Sequence, residues 1–218
     1  MATLTRLVVF ALSAGLVFSQ TSWAQAPAAS VPLWPPASIE IHPALAEKAN
    51  RMAVILIVGN PGATVEWLNR AGFCVFVLMR PEGSSGDALA DTHRAIRMVR
   101  LRAEQWKIGR HGIGVMGFES GEPAARAALD FDSGERNSFD ATDQISDRPD
   151  FAVLDSDGWK AVASAKASRD VPPTFLAEDG DGQPADSWHT RFVDWITDLA
   201  RRTCCGTLVE AFMECLCH

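Results

Sequence analysis

The chain has 218 residues and a formal net charge of −7 at pH 7, and 47% of its residues are hydrophobic. This length is enough for one domain that buries a core of good size. The acidic balance argues against nucleic acid and anionic membranes as partners, because their phosphate groups would be repelled, and it suits neutral or sugar-linked substrates.

Residues 1–26 have the features of an export signal. Arg6 is the only charged residue before the apolar run Leu7–Phe18, and small residues at Ser22 and Ala24, or at Ala24 and Ala26, offer a cleavage site. The run is shorter than the ~20 apolar residues of a membrane span, and a retained N-terminal anchor is the alternative. We therefore predict a secreted or periplasmic protein with no membrane contact beyond the export signal.

The remaining chain divides into a linker and N-terminal segment, residues 27–50, and an α/β domain, residues 51–218. Residues 27–38 are rich in Ala, Pro and Ser, which is typical of a linker. From Met52 onward apolar strands alternate with helical patterns, as in a mostly parallel sheet with crossover helices on both faces. The sequence therefore predicts a three-layer α/β/α architecture.

Two strands and two helices are predicted in the first half of this domain. In chain order the elements are strand Ala53–Val58, turn Gly59–Gly62, a short helix beginning over Val65–Arg70, strand Cys74–Met79, loop Arg80–Gly86 and helix Asp87–Lys107. The long helix is amphipathic, and its arginines occupy much of the polar surface. We expect these arginines to form a solvated face and not an anion site: Arg94, Arg97, Arg100 and Arg102.

A strand–turn–helix unit over Gly112–Leu129 is the most informative stretch of the chain. An apolar run leads into a glycine-flanked turn, and Pro123 and a series of helix-forming residues follow the turn. The turn Gly117–Gly121, here called the elbow, nearly matches the G-x-S-x-G motif that exposes a nucleophilic serine. Glu119 stands where that serine is expected, and Ser120 comes one place later.

The second half continues the alternation of elements. In chain order we predict a polar, mobile excursion over the carboxyl-terminal edge of the sheet at Asp130–Asp150, strands Phe151–Leu154 and Thr174–Ala177, helix Asp186–Arg202 and a last strand Thr207–Met213. Three histidines are interpreted as linker, helix-surface and turn residues without a functional role: His42, His93 and His111, respectively.

Five cysteines are present. Cys74 lies within an apolar strand and is predicted to be a buried, inert thiol. In an oxidising compartment the other four can pair in three connectivities: Cys204, Cys205, Cys215 and Cys217. Their spacing matches no common zinc pattern, which disfavours a metal site.

A catalytic triad on such a sheet requires a nucleophile, an acid and a base that follow successive strands in that chain order. The sequence offers candidates in this order: Glu119 or Ser120 as nucleophile, Asp181 as acid and His218 as base. Asp179 competes with Asp181 for the role of the acid. His189, near the start of the preceding helix, is a weaker alternative base.

Six segments spread over most of the chain after residue 26 carry a resemblance to a known family. They are Val31–Pro35, Trp67–Leu78, Ala95–Arg100, Ile113–Phe118, Arg148–Leu154 and Val171–Leu176. These segments resemble secreted α/β-hydrolases of the acetylxylan esterase and feruloyl esterase-like branch, which is related to dienelactone hydrolases. The resemblance implies an α/β-hydrolase fold and a Ser-Asp-His carboxylic-ester hydrolase without a metal or organic cofactor.

The resemblance also implies that Glu119 occupies the nucleophile position, that Asp181 matches the acid and that His218 falls close to the catalytic histidine. A tight elbow needs small residues two places before and after the nucleophile, and glycines meet this need only around position 119. A histidine base activates a hydroxyl but not a carboxylate. Geometry therefore favours Glu119, whereas chemistry favours Ser120.

By the same resemblance, the turn Gly59–Gly62 takes the place of the oxyanion loop. Backbone N–H groups near Gly59, Asn60 and Gly121 would then bind the oxyanion. Pro61 has no N–H, so one donor worth roughly 2.7–4 kcal/mol in such sites is missing from this turn.

We expect a hydrolase of modest rate that acts on a carboxylic ester or lactone, with a small-molecule ester or an acylated carbohydrate as its partner. The alternative from another class is a non-catalytic relative that uses the same cleft to bind a sugar or a protein. A remnant without function is the third possibility.

Overall fold

The computed structural model describes residues 29–34, 37–81, 87–118, 122–132, 140–165, 170–178 and 187–206, with Trp34 and residues 203–206 described without their side chains. The strands in these ranges are β1 (Ala29–Trp34), β2 (Ala37–His42), β3 (Ala53–Ile57), β4 (Cys74–Met79), β5 (Ile113–Gly117), β6 (Phe151–Leu154) and β7 (Thr174–Leu176). The α-helices there are α1 (Gly62–Arg70), α2 (Ala88–Leu101), α3 (Glu122–Leu129), α4 (Ser156–Ala165) and α5 (Trp188–Gly206).

The described strands form one sheet in the order β1-β2-β4-β3-β5-β6-β7. β2 pairs antiparallel with β1 and with β4, and all other neighbours pair parallel. β3 lies in the middle of this order, and residues 53–56 are fully buried, as expected for an apolar parallel strand that is covered on both faces. The predicted mostly parallel sheet is confirmed.

Helices cover both faces of the sheet, so the predicted three-layer architecture is also confirmed. On one face α2, α3 and α4 pack against residues that include Ile55 and Val115. On the other face α1 and α5 pack against residues that include Leu56 and Met116. Neighbouring residues of one strand thus enter different cores, because strand side chains alternate between the two faces.

The interpretation of residues 27–38 as a linker is wrong for the residues described there. β1 and the start of β2 occupy this segment, and β2 continues the sheet beyond β4. Leu33, Ile39 and Ile41 are buried at odd-numbered positions, which is the two-residue period of a β-strand. The segment is nevertheless rich in proline, and this composition led to the linker interpretation. Pro32 is tolerated because β1 is an edge strand of the described sheet, where not every N–H needs a partner.

The predicted solvated face of α2 is also wrong. Three of its arginines form ion pairs with aspartates of the segment 140–150: Arg94 with Asp140 and Asp143, Arg97 with Asp147, and Arg100 with Asp150. The side chain of Arg97 is 7% exposed and that of Asp147 is 0% exposed. Charges are buried to this degree only when they are paired. Arg102, at the end of α2, is half-exposed.

Residues 140–150 are therefore not a mobile excursion over the carboxyl-terminal edge of the sheet. They pack along α2, begin with the 3₁₀ turn Ala141–Gln144 and end at Asp150. The Asp150 carboxylate accepts a hydrogen bond of 3.0 Å from the backbone N–H of Ile113, at the amino-terminal end of β5. The acidic composition that indicated a solvated loop instead supplies partners for the arginines.

Two of the histidine interpretations change as well. His93 is buried and not on the helix surface, and its Nδ1 lies 3.5 Å from the Asp147 carboxylate. His42 belongs to β2 and pairs with Val75 of β4, so it is not a linker residue. His111 lies in the turn before β5 with 75% of its side chain exposed, as predicted.

The helix bounds differ from the predictions mainly at their ends. α2 begins after Asp87, whose carboxylate caps it by accepting a 2.9 Å hydrogen bond from Leu89 N. It ends at Leu101 and not at Lys107, which has a left-handed φ of 56° after a short 3₁₀ segment. α5 confirms the predicted helix, while the predicted strand Thr207–Met213 lies outside the described residues. No helix in the described ranges is long and apolar enough to cross a membrane.

Candidate active site

The last residues of four strands are level with one another across the sheet. Ile57 of β3 pairs with Gly117 of β5, Gly117 pairs with Leu154 of β6, and Leu154 pairs with Leu176 of β7. The turns that follow these strands therefore begin side by side at one edge, which we call the carboxyl edge. Open α/β sheets place their ligand sites outside this edge.

The turns at the carboxyl edge carry most of the predicted site. Gly59 and Asn60 follow β3 and are exposed. The other predicted residues lie outside the described part of the chain: Glu119, Ser120 and Gly121 after β5, Asp179 and Asp181 after β7, and His218 at the end. The structure thus brings together the ends of β3, β5 and β7, after which Gly59 and Asn60, the elbow and the predicted acid follow in the chain. The positions of the undescribed residues, including His218, stay a prediction.

The strand and the helix predicted on either side of the elbow are confirmed. β5 ends at Gly117 and α3 begins at Glu122, so only four residues connect a buried strand to a helix that packs against it. The close approach of α3 follows from its small buried side chains, which are Ala124, Ala125, Ala127 and Ala128. Pro123 lies in the first turn of α3, where its missing N–H needs no partner.

The turn after β3 leads directly into α1. Pro61 is the residue that precedes the helix, and its carbonyl accepts a 2.8 Å hydrogen bond from Val65 N. Pro61 itself has no N–H to offer to a ligand. Any backbone donors of this turn must therefore come from Gly59, Asn60 or the first residues of α1.

An aromatic cluster lies beside the elbow. Phe118, the residue after β5, has its ring centroid 5.3 Å from that of Trp188 at the start of α5. The His189 imidazole stacks on Trp188 at 3.9 Å and meets Trp67 of α1 edge-on at 4.5 Å. His189, the weaker of the two predicted bases, therefore belongs to a packed ring cluster that reaches the elbow.

Asp155 is a residue of the carboxyl edge that the sequence analysis does not single out. It follows Leu154 directly, so it comes after the strand that neighbours the elbow strand. Its Oδ1 accepts a 2.9 Å hydrogen bond from Gly158 N and thereby caps α4. Its place directly after an apolar strand is the one feature of the sequence that could have identified it, and it is a weak one.

Cys74 plays no part in this site. Its thiol is buried in β4, and burial raises its pKa to about 11, so the reactive thiolate is scarce at neutral pH. The prediction of a buried, inert thiol is confirmed. No group of three or more metal-binding side chains occurs among the described residues, and side chains 203–206 and residues 207–218, which hold the other cysteines, are outside them.

A cavity of about 200 Å³ lies at the opposite edge of the sheet. Its lining is Met52, His111, Arg148, Asp150, Phe151, Pro173, Leu199 and Ala200. Several of these residues lie at or just before the amino-terminal ends of strands. Arg148 pairs with Asp170 and Asp150 pairs with Arg100, while the buried Nε of Arg148 has no hydrogen-bond partner among the described residues. The cavity lies at the end of the sheet opposite to Gly117, where the elbow begins.

Comparison with known proteins gives a short sequence match and extensive structural similarity. Over 58 residues the chain is 34% identical to an acetylxylan esterase of Xylanibacter ruminicola. The match spans 26% of this chain and only 12% of that protein. No family model matches the chain.

The structural similarity covers most of the described fold. An acetyl ester-xyloside bifunctional hydrolase from Caldicellulosiruptor lactoaceticus aligns with a TM-score of 0.65 at 19% identity, over 81% of this chain and 98% of that one. A thermophilic esterase from Thermogutta terrifontis with bound butyrate aligns with a TM-score of 0.55 at 16% identity, over 80% of each chain. Together with the sheet order, these similarities show that the chain has the α/β-hydrolase fold.

Proposed function

We propose that this protein is a carboxylic-ester hydrolase whose active site lies at the carboxyl edge of the sheet. The observation that carries the proposal is that the strand ends Ile57, Gly117, Leu154 and Leu176 are paired side by side. The turn Gly59–Gly62 (the oxyanion turn), the elbow and the loop that contains Asp181 (the acid loop) follow Ile57, Gly117 and Leu176 in the chain. The esterases that share this fold support the choice of reaction.

The proposed roles follow the order of the strands. Ser120 or Glu119 is the nucleophile, His218 is the general base and Asp181 orients it; N–H groups near Gly59, Asn60 and Gly121 bind the oxyanion. With a serine, His218 takes the hydroxyl proton as the oxygen attacks the acyl carbon, and returns that proton to the leaving alcohol. Water then attacks the acyl-enzyme and gives a proton to the same histidine, which passes it to the departing serine oxygen, so that the acid and the free serine are released.

The substrate that we propose is a small-molecule ester, in particular an acetylated carbohydrate or a lactone. The matched curated relative is an acetylxylan esterase, and one structural neighbour is an acetyl ester-xyloside hydrolase. An acidic protein is also better suited to neutral sugar esters than to anionic polymers. No metal or organic cofactor is required for this chemistry.

We further propose that the protein is exported and belongs to the acetylxylan esterase and feruloyl esterase-like branch related to dienelactone hydrolases. Residues 1–26 support export, and their removal changes the charge to 19 − 27 = −8. An oxidising compartment would allow Cys204, Cys205, Cys215 and Cys217 to pair.

The test is hydrolysis of 4-nitrophenyl acetate by the wild type and by three variants, Ser120→Ala, Glu119→Ala and His218→Ala. We expect measurable turnover by the wild type, and a loss of at least about 100-fold with His218→Ala and with one of the two nucleophile variants. Asp170→Ala is the control, because Asp170 lies before β7, at the opposite end of the sheet from the elbow, with 89% of its side chain exposed, and we expect unchanged turnover. Wild-type turnover in all three variants would show that the residues are assigned wrongly.

A second candidate function is ligand binding without catalysis. Glu119 at the nucleophile position and Pro61 in the oxyanion turn favour it, because both weaken the serine mechanism. The same experiment distinguishes the two candidates when a fluorophosphonate probe and an acetylated xylo-oligosaccharide are added. A binding protein without activity shows no labelling of Ser120, no ester turnover and an increase in Tm with the oligosaccharide.

A further inference from the structure

Apolar side chains form one part of the lining of the cavity at the amino-terminal edge of the sheet. Met52 precedes β3, Phe151 begins β6, Pro173 precedes β7, and Leu199 belongs to α5. Phe151 is fully buried, and Leu199 packs against the same core. An apolar cavity of about 150 Å³ can hold benzene. The volume of about 200 Å³ found here is therefore enough for one six-membered ring with a small polar substituent.

The charged residues of the lining are held in ion pairs with other residues of the protein. Asp150 Oδ2 lies 3.3 Å from Arg100 Nη1 and accepts a hydrogen bond of 3.0 Å from Ile113 N. Arg148 Nη2 lies 3.3 Å from the Asp170 carboxylate. Because each of these charges already has a counter-charge, a ligand with a net charge of its own would be left without one. The pairing therefore favours a neutral ligand.

The second oxygen of Asp150 retains capacity for a ligand. Asp150 Oδ1 accepts no hydrogen bond from the described residues, and His111 Nδ1 lies 3.9 Å from it, beyond hydrogen-bond distance. An ionised carboxylate oxygen is an acceptor, so it needs a donor from the ligand. The unpartnered Nε of Arg148 is buried, so a ligand reaches the carboxylate and not this nitrogen. His111, with 75% of its side chain exposed, can supply a further hydrogen bond through its imidazole.

We propose that this cavity binds a small neutral ring that carries a hydroxyl group, of which phenol is the simplest example. The ring packs against Met52, Phe151 and Leu199. The hydroxyl group donates its hydrogen to Asp150 Oδ1, and its oxygen accepts a hydrogen bond from the His111 imidazole. The site lies at the opposite edge of the sheet from the elbow, so it is a second binding site, separate from the proposed active site.

The test is a titration of the full chain with 4-fluorophenol, followed by fluorine NMR. We expect saturable binding with a Kd on the order of 1 mM. Fluorobenzene lacks the hydroxyl group, and the hydrogen bond to a carboxylate should make 4-fluorophenol bind at least about tenfold more tightly. 4-Fluorobenzoate has the same ring with a negative charge, and it should bind more weakly than 4-fluorophenol because Asp150 repels it.

Three variants locate the binding site. Ala200 lines the cavity, so Ala200→Leu fills part of it, and we expect the affinity for 4-fluorophenol to fall at least about tenfold. Arg201→Leu is the matched control, because Arg201 is the next residue of α5, its side chain is 72% exposed, and the affinity should stay at the wild-type value. His111→Ala removes one hydrogen-bonding group and should weaken binding about three- to tenfold. The Tm of each variant without the probe shows whether it is folded.

The proposal is overturned if 4-fluorophenol shows no saturable binding up to about 10 mM, or if folded Ala200→Leu binds it as the wild type does. Should Ala200→Leu not fold, unchanged affinity in His111→Ala overturns it. Equal affinity for fluorobenzene would refute the hydrogen bond to Asp150, and tighter binding of 4-fluorobenzoate would refute the preference for a neutral ligand. The titration uses no ester, so these outcomes are independent of the proposed hydrolase.

Discussion

At the scale of single residues, Gly114 is the position where the sheet leaves the least room. It lies in β5 directly opposite Phe151 of β6. A Cβ atom on Gly114 would lie 2.2 Å from the nearest ring carbon of Phe151, which is closer than two carbon atoms approach. The ring of Phe151 is itself fully buried and packs against Phe192 and Trp195 of α5, so it has little freedom to move away.

We predict that Gly114→Ala destabilises the protein by about 1–3 kcal/mol, the usual cost of overpacking a core. The measurement is the free energy of unfolding in urea. Gly109→Ala is the control, because a Cβ atom there meets its nearest neighbour, the carbonyl of Arg51, at an ordinary 3.5 Å. A Gly114→Ala protein as stable as the Gly109→Ala protein would contradict the steric argument, while recovery by Phe151→Leu in the same chain would support it.

At the scale of elements, ion pairs between α2 and residues 140–150 hold the long connection between α3 and β6 against α2. Asp147 is its centre, since its carboxylate contacts the Arg97 guanidinium and the His93 imidazole and accepts a hydrogen bond from Asp132 N at 2.6 Å. The side chains of Asp147, Arg97 and His93 are buried. Without this aspartate the buried Arg97 loses its hydrogen-bonded partner and keeps only the Asp143 carboxylate, 4.0 Å from its Nη1.

Asp147→Ala should therefore lower the free energy of unfolding by about 3–5 kcal/mol. Asp170→Ala provides a matched comparison, because Asp170 also pairs with an arginine, Arg148, at 3.3 Å but is 89% exposed. Its loss should change the same free energy by less than about 1 kcal/mol. Similar values for the two variants in chemical denaturation would show that burial of the pair near α2 does not determine its contribution.

At the scale of the whole molecule, the buried His93 makes stability depend on pH. Burial is the main cause that lowers the pKa of His93 below its ordinary value of 6.5. Asp147, Asp130 and Asp87 act in the opposite direction, and Arg97 adds to the lowering. The unfolded chain therefore takes up this proton at a higher pH than the folded protein does. Stability from this source is complete above about pH 6.5 and is lost as the pH falls through the folded-state pKa.

We predict that the free energy of unfolding declines as the pH is lowered from about 7 to 5, and that His93→Gln makes this decline shallower. Denaturant titrations at several pH values measure the slope. His111→Gln changes a histidine with 75% of its side chain exposed and should keep the wild-type slope. An unchanged slope in His93→Gln would show that the buried imidazole does not titrate differently on folding.

The topology also explains why the location of the candidate site can be predicted from the sequence, whereas the charged residue Asp155 at that site cannot. The alternation of apolar strands with helices, and the elbow between Met116 and Glu122, predicted a mostly parallel sheet with the candidate residues at its carboxyl edge. Gly59 and Asn60 lie at that edge as expected. Asp155 was missed because a single aspartate after a strand carries no periodic signal. Its interest comes from the register of β6 with β5 and β7.

The sequence by itself determined the α/β architecture, the strand and the helix on either side of the elbow, and the burial of Cys74, because each of these depends on a local pattern of apolar and turn residues. Only the tertiary structure decided that residues 29–42 extend the sheet and that the arginines of α2 are paired. Those aspartate partners lie 46 to 50 residues further along the chain. Local periodicity reports which face of an element is buried, but it does not report which distant charge will be brought against that face.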